Sequence, residues 1–360
     1  MAAPVSIARP GIAAGRYIKS LIVARGDPMA AHAYGMGQGW GDTPATLTAL
    51  KSAVAPSDTT DATSAGPLVA YPISADFVEF LRPQTLVGRL IGATRVPFHT
   101  RMLAVGAGGS AAWVGEAAAI PATKLDLDSN TTLGHAKVQA LSVITNELAR
   151  SSSPSAEAVI AADVARAISY ELDKAFADPT NSGSAGVRPP SVFNNATEHA
   201  STGSTVDAIT SDLQAAIGSL TDADEDLSSA VWIMSPRSAA HIAGLRGTGG
   251  SPAFPQATAR GGSIWGIPIL TSRAVPDLGS PEEGFVGLLQ ADGLALADDG
   301  AAALEFSEHA AVQMLDNPTD SATQMVSLWQ NGLAAIKATR YINWQLRRAG
   351  AAAFVSGCKY

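Results

Sequence analysis

The stretch "SSSPSAEAVIAADVARAISYELDKAFADPT", residues 151–180, carries the strongest helical pattern in the chain. Ser153 is a typical N-cap residue and Pro154 suits the first helical turn, whereas Asp178-Pro179 predicts the end of the helix. Between these signals, apolar side chains recur every four residues, at Ile160, Val164, Ile168, Leu172 and Phe176. The opposite face carries the charged residues Glu157, Arg166, Glu171 and Lys174. The pattern predicts a helix roughly 36 Å long that lies on the surface of a folded body with one side buried.

Residues 98–145, directly before this helix, indicate extended chain instead. Residues 138–143 alternate with the period of two that is typical of strands. Small residues dominate the rest, and "AAWVGEAAAIPATK" (111–124) places a tryptophan, Trp113, among them. A two-stranded ribbon with so few large side chains is only marginally stable. We therefore predict an extended hairpin that packs on a partner surface, either elsewhere in this chain or on another copy.

The remaining sequence predicts short helices and strands in mixed order, which is typical of the α+β class. Helical patterns lie at 17–22, 77–81, 86–91 and 206–220, and after Ser235-Pro236. Strands are predicted at 231–234, at 263–272 as one strand, in 284–300 as two short strands around a turn, and at 333–344. Loops are predicted at 179–205 and 247–263, and a flexible linker at 52–66. Residues 1–65 have few large apolar residues, so we expect an arm that orders only against another surface.

Composition narrows the class of protein. The chain has 360 residues, enough for a sizeable core, and a formal net charge of −8. An acidic chain without a basic run is a poor candidate for binding nucleic acid, although it can enclose one. No run of eighteen apolar residues occurs, and no apolar stretch with a cleavage site follows Arg9 and Arg16. Neither a membrane span nor a secretory signal is therefore expected. The single cysteine, Cys358, excludes an internal disulfide framework. We therefore expect a soluble protein of a reducing compartment.

Motifs for catalysis, cofactors and metals are all incomplete. Gly106, Gly108 and Ala111 follow a relaxed dinucleotide-binding pattern, but no helix opens behind them. The calcium-loop-like start at 126–130 lacks the Gly and the Glu that such a loop requires. Ser263 misses the spacing of a hydrolase nucleophile by one residue. The pattern predicts no enzyme, no cofactor and no metal site, and favours a protein that works through its surfaces.

Several stretches, taken together and in order, resemble the major capsid protein family of tailed bacteriophages, of the Hong Kong 97 type. They are "FVEFLRPQTLVGRLIGATRVPF" (77–98), "AAWVGEAAAIPATK" (111–124), "LSVITNELARSSSPSAEAVIAADVARAISYELDKAF" (141–176), "VWIMSPRSAAHIAGL" (231–245), "GIPILTS" (266–272) and "SLWQNGLAAIKATRYINWQLRRAGAAAF" (327–354). The similarity extends from about residue 68 to the C-terminus. Residues 1–65 match only loosely, as an N-terminal arm.

The resemblance implies a Hong Kong 97-like α+β fold with four parts. These are an N-terminal arm (1–97, of which 1–65 is flexible or processed), an extended loop (98–145), a peripheral domain with a long spine helix (146–221 and 323–360) and an axial domain (222–322). The extended loop reaches over the neighbouring subunit in this family. It makes four residues candidates for contacts between subunits: Trp113, Glu116, Pro121 and Lys124. Some members cross-link a loop lysine to a neighbour, but no partner for Lys124 is identified here and cross-linking is not predicted.

The implied function is that of a major capsid protein, assembled in the cytoplasm of a bacterial host and located in the virion. Its partners would be its own copies, in pentamers and hexamers, together with a portal, a scaffold or maturation protease, and a decoration protein. The shell would enclose DNA without sequence-specific binding. Two alternatives stay open: an encapsulin-type compartment with the same fold, and, more remotely, a serine hydrolase that uses Ser263 and His241.

Overall fold

The computed structural model describes residues 12–24, 27–38, 40, 81–107, 113, 126–147, 154–247, 249–277, 283–315 and 325–360. They fall into two compact units. The first unit comprises the described residues up to Gln84, together with Val138–Ser169 and Asp299–Tyr341. The second comprises those in Thr85–Lys137, Tyr170–Asp298 and Ile342–Tyr360.

Helices and strands alternate irregularly, so the predicted α+β class is confirmed. The α-helices are α1 (Ile12–Val23), α2 (Pro28–Gly37), α3 (Leu86–Arg89), α4 (Pro154–Ala177), α5 (Val206–Asp222) and α6 (Pro236–Gly244). Short 3-10 turns occupy Arg82–Gln84, Leu227–Ser229, Ala291–Gly293 and Ala349–Ala351. The strands are β1 (Thr94–Arg95), β2 (Arg101–Ala107), β3 (Asp126–Thr132), β4 (Lys137–Thr145), β5 (Thr197–Ala200), β6 (Ala230–Met234), β7 (Ala257–Thr258), β8 (Gly261–Ile264), β9 (Ile267–Thr271), β10 (Gly284–Gln290), β11 (Leu294–Ser307), β12 (Ala311–Val312), β13 (Val326–Ser327), β14 (Leu333–Leu346) and β15 (Ala352–Cys358).

The second unit is built on a mixed seven-stranded sheet with the order β5-β15-β10-β6-β9-β8-β7. Strand β10 lies between β15 and β6 and is antiparallel to both, whereas β6–β9 and β15–β5 are parallel pairs. Val286 and Leu288 of β10 share one buried cluster with the apolar stripe of α5, which includes Ile209 and Leu213. Burial of this cluster supplies much of the driving force for folding this unit.

The other face of β10 packs against aromatic side chains. The rings of Phe193, Phe285 and Phe354 lie with centroids 5.1 to 6.3 Å apart. Gly287 lies beneath this group, and a Cβ at that position would overlap the ring of Phe193. The strand is therefore covered on both faces, which explains why residues 285–290 are all buried.

A four-stranded sheet has the order β1-β11-β14-β4, in which β1 pairs with β11 in parallel. Within the first unit, Ala334 and Ile336 of β14 form a small cluster with Ile18 of α1. Helix α2 begins at the N-cap residue Asp27, whose side chain accepts a hydrogen bond from Met29 N. The helical pattern predicted at 17–22 is therefore confirmed as part of α1. This helix packs through Ile18, one of the apolar residues of that pattern.

The long helix predicted after Ser153 is confirmed as α4, with Pro154 as its first residue and Ala177 as its last. Val164, Ile168, Leu172 and Phe176 are buried, and Arg166, Glu171 and Lys174 are exposed. The side chains of Glu157 and Ile160 lie outside the described residues. Two side chains beyond the helix satisfy carbonyl groups of its last turn: Asn181 Nδ2 donates to Ala175 O and Ser191 Oγ donates to Phe176 O.

Three predictions for the later elements are wrong in part. The predicted loop 179–205 contains β5, which is short and is held by pairing with β15, more than 150 residues away. The single strand predicted at 263–272 is two strands, β8 and β9, separated by a tight turn, and β7 together with the start of β8 lies in the predicted loop 247–263. The strands predicted in 284–300 both exist, but the second is the 14-residue β11 and belongs to the other sheet. The predicted linker 52–66 lies outside the described residues.

The buried stripe of α4 yields a test. Ile168→Asp would place a carboxylate where 1% of the side chain is accessible, and an unpaired buried charge costs several kcal/mol. We expect aggregation or loss of the cooperative thermal transition, measured by circular dichroism. Ala167→Asp introduces the same carboxylate at the adjacent, exposed position and should leave the transition within a few degrees of the original. A normal transition in Ile168→Asp would show that the stripe is not essential to the core.

Candidate functional site

Part of the predicted extended hairpin is present as an antiparallel ribbon of β2 and β3. The alternating residues 138–143 belong instead to β4 of the four-stranded sheet. Arg101 pairs with Thr132 at the base of the ribbon and Val105 with Leu127 further along. The register shifts at two places, and such bulges increase the twist of a ribbon. Within the described part of the chain, the ribbon forms a two-stranded sheet of its own. Because two strands alone bury little surface, this ribbon needs a further surface to be stable.

Trp113, the first of the predicted contact residues, lies in the segment that joins these two strands. Its relative accessibility is 105%, so its own chain does not shield it. Exposed aromatic residues of this size are frequent anchors of protein interfaces. Glu116, Pro121 and Lys124 lie outside the described residues, and a contact of any of the four with a neighbouring subunit stays a prediction.

A second exposed tryptophan, Trp265, lies at the tip of the β8–β9 hairpin. The sequence pattern did not predict it as a surface residue. Trp265 and Gly266 have φ angles of +52° and +82°, as in the type I′ turn, where Asn-Gly is the preferred pair. A bulky residue in this left-handed region is strained. Trp265 is nevertheless 49% exposed, with its ring 6.1 Å from that of Phe254. Gly266, which lies between two apolar runs, is the feature of the sequence that could have indicated this turn.

A third exposed apolar region surrounds the short ribbon of β12 and β13, in which Ala311 pairs with Ser327. Four large apolar side chains adjoin these strands and are 50 to 72% exposed: Met314, Leu315, Met325 and Trp329. Single exposed apolar residues are ordinary, but several on adjacent segments indicate an interaction surface. Nothing in the periodicity of the sequence marks them, because the strands are only two residues long.

Asp173 is a buried carboxylate that holds three segments of the second unit together. Its Oδ1 accepts a hydrogen bond from Leu86 N at 2.7 Å and its Oδ2 accepts one from Ser272 Oγ at 2.6 Å. The nearby Arg89 donates through Nη2 to Thr271 O at 2.6 Å. Burial raises the pKa of Asp173 to about 6, against the opposing effects of the two hydrogen bonds and the Arg89 charge. All these partners belong to its own chain, so Asp173 is a structural anchor.

In the described structure, Ser263 and His241, the two residues of the hydrolase alternative, contact other partners and not each other. Ser263 Oγ donates to Gln256 Oε1 at 2.8 Å, and the His241 ring lies 6.3 Å from that of Tyr360. The described ranges contain no cluster of three or more His, Cys, Asp or Glu side chains that could hold a metal ion. In the same ranges, no helix combines the length and the apolar character needed to cross a membrane.

Comparison with known proteins decides the family. Residues 65–356 match the model of the phage capsid family. The chain belongs to this family. It is 38% identical over 320 residues to a capsid polyprotein of Pseudomonas phage PAJU2, covering 86% of this chain and 48% of that protein. It is 26% identical over 272 residues to a major capsid protein of Klebsiella oxytoca phage phiKO2, covering 73% of this chain and 63% of that protein. The chain thus spans about half to two thirds of the length of these curated relatives.

Solved structures establish the fold. A chain from Mycobacterium phage Cain superposes with a TM-score of 0.55 at 14% identity, covering 76% of this chain and 89% of that one. A chain from Mycobacterium phage Ogopogo gives 0.54 at 18% identity, with coverages of 76% and 91%. The capsid of a native GTA particle gives 0.51 at 13% identity, with coverages of 74% and 88%. The predicted Hong Kong 97-like fold is confirmed.

The raised pKa of Asp173 predicts how stability depends on pH. Its folded-state pKa of about 6 exceeds the ordinary value of about 4, so between these values the folded state binds more protons than the unfolded state. The contribution of Asp173 to the free energy of unfolding is therefore largest below pH 4 and falls as the pH rises to 6, by about 3 kcal/mol in all.

Urea unfolding of the unassembled protein at pH 4.5 and pH 7.5 measures this effect. Asp173→Asn removes the titration and keeps a side-chain oxygen for Leu86 N. We expect the unfolding free energy of the original protein, relative to this variant, to be about 2 kcal/mol greater at pH 4.5 than at pH 7.5. A relative gain at pH 7.5 instead would mean that Arg89 and the two hydrogen bonds outweigh burial.

Proposed function

We propose that this chain is a major capsid protein, which assembles with its own copies into the icosahedral shell that encloses a phage genome. The observation that carries this proposal is the match of residues 65–356 to the phage capsid family, supported by the likeness to a solved capsid. The exposed ribbons give the proposal a physical basis, because surfaces that a single chain leaves uncovered are those that neighbouring copies can bury.

The parts of the chain would divide the work of assembly. Residues 98–145 would be the extended loop that lies over the adjacent subunit, with Trp113, Glu116, Pro121 and Lys124 among its contacts. Residues 146–221 and 323–360 would form the peripheral domain, and residues 222–322 the axial domain that meets its copies at the five-fold and six-fold axes. Residues 1–97 would be the N-terminal arm, whose last part is anchored on its own chain through Leu86 and the pairing of β1 with β11.

Other components of the particle follow from this role. A portal, a scaffold or maturation protease, and a decoration protein would be partners, and assembly would take place in the cytoplasm of the bacterial host. The net charge of −8 suits a wall that encloses DNA without binding it tightly, since affinity for DNA comes mostly from Lys and Arg. The absence of enzymatic activity belongs to the same proposal.

Assembly can be tested by shortening the ribbon. Replacing residues 106–126 with Asn-Gly would join the paired residues Val105 and Leu127 by a two-residue turn of a type that hairpins favour. This variant should keep the thermal transition of the subunit but should not form closed shells, because the loop contacts are gone. Light scattering and negative-stain electron micrographs of both proteins provide the measurement.

The original protein is the control and should give pentamers, hexamers or closed shells. DNA protected from nuclease inside shells isolated from infected cells would favour a capsid, whereas enclosed protein cargo would favour an encapsulin-type compartment. A stable monomer across a wide range of concentration and salt would contradict the proposed function. Normal shells from the shortened variant would contradict only the role of the loop.

A further inference from the structure

A polar cleft of about 180 Å³ opens in the first unit and is lined by Asn146, Glu308, His309, Trp329 and Leu333. Its walls are the ends of four strands, since these residues directly follow β4, β11 and β13 or begin β14. Backbone hydrogen bonds hold the walls together: Asn146 N donates to Gly332 O at 2.9 Å and Leu328 N donates to Ala310 O at 3.1 Å. The cleft is therefore a formed feature of the fold.

Two acceptor groups in this cleft have no partner. Glu308 is only 8% accessible, and the described structure gives its carboxylate neither a hydrogen bond nor an ion pair. The Oδ1 atom of Asn146 is also buried and unpaired. Lys337, a cation of β14, is already engaged, because its Nζ lies 2.5 Å from Glu305 Oε2. The carboxylate oxygens of Glu308 face the open cleft, where a cation that enters can reach them.

The residues that line the cleft indicate which kind of chemical group can bind there. A carboxylate binds ammonium and guanidinium groups strongly, and an indole face attracts the same groups. Trp329 supplies such a face and is 72% exposed at the cleft. A divalent metal ion would need several oxygen ligands, and no set of three acidic, His or Cys side chains is found in the described ranges. The cleft therefore suits an organic cation at the end of a flexible chain.

The surroundings of the cleft indicate that this cation belongs to a protein. The β12–β13 ribbon continues from Trp329 to Met325 and Met314, which are 53% and 50% exposed. A free small cation would leave these apolar side chains uncovered, whereas a protein surface can cover them and insert one basic side chain. A second copy of this chain meets this requirement, because it contains 24 Lys and Arg residues and is the partner expected from the proposed function.

We propose that the Glu308–Trp329 cleft binds a lysine or arginine side chain of a second copy of this chain. The choice of a second copy rests on the proposed capsid function, whereas the preference for a cation rests on the cleft alone. The bound ammonium or guanidinium group would donate to the Glu308 carboxylate while it lies against the Trp329 ring. Glu308 would thus gain a donor only in the assembled particle.

Glu308→Gln tests the carboxylate with an almost isosteric side chain. We expect the concentration for half-maximal assembly to rise at least tenfold, measured by light scattering. The melting temperature of the unassembled subunit should stay the same or rise, because an unpaired buried charge has been removed. Glu305→Gln is the matched control: it removes the carboxylate of an exposed ion pair on the same segment and should change neither quantity measurably. A lower melting temperature with normal assembly would assign Glu308 a structural role and overturn the proposal.

Two further measurements separate this inference from the proposed function. N-acetyl-arginine methylamide, added to unassembled protein, should change the fluorescence that is lost in Trp329→Phe, whereas N-acetyl-norleucine methylamide should not. Glu308→Gln should weaken the arginine effect at least tenfold. If the protein never assembles but binds this probe, the cation site stands, and both the second-copy occupant and the capsid function fail. If shells form but the probe does not bind, the inference alone fails.

The occupant itself can be captured. A photo-reactive benzoylphenylalanine at position 329 should cross-link two copies of the chain in assembled particles, and mass spectrometry should place the linked peptide next to a Lys or Arg. The same group at position 187, where Val187 is 65% exposed in the other unit, is the control for non-specific capture. Cross-links confined to one chain, or formed only with a different protein, would overturn the assignment of a second copy.

Discussion

The seven-stranded sheet depends on the burial of both faces of strand β10. Val286 and Leu288 point into the cluster shared with α5, while Phe285 and Gly287 face the aromatic group around Phe193. A strand covered on both sides needs two layers of apolar side chains and paired neighbours on both edges. The chain provides the edges with β6 and with β15, which comes from its last residues. Strand β15 is therefore part of the core, and the sheet of the second unit is complete only with it.

Other parts of the same chain show the opposite condition. The β2–β3 ribbon is a sheet of two strands in the described structure, and Trp113 and Trp329 are exposed. A protein that worked as a monomer would gain stability by covering such groups, since each large aromatic side chain contributes about 2 kcal/mol when it is buried. The chain completes its core by itself but leaves its projecting segments uncovered. This arrangement is expected of a subunit whose neighbouring copies cover those segments.

The sequence predicted well those features that depend on neighbouring residues. Helix α4 was found with both ends because its caps and its apolar stripe lie within one stretch of about 30 residues. Strand β5 was missed because its pairing with β15 joins residues about 150 positions apart, which no local pattern encodes. Trp265 was taken as the interior of one strand, although its positive φ places it at a turn. The contact residues of the loop came from the resemblance to a family. The cleft at Glu308 could not be predicted, because residues as far apart in the chain as Asn146 and Leu333 form it.

Buried carboxylates show why the sequence alone could not separate the core from the surfaces that bind partners. Asp212 accepts hydrogen bonds from Ser201, Thr202 and Tyr360, and Asp173 accepts them from Leu86 and Ser272. In both cases, folding itself supplies donors that offset part of the desolvation. Glu308 is 8% accessible and has no such donors in the described structure. All three are acidic residues in unremarkable sequence, and only their partners distinguish them. Glu308 lines an open cleft, so it is the one of these three carboxylates that a donor from another molecule can reach.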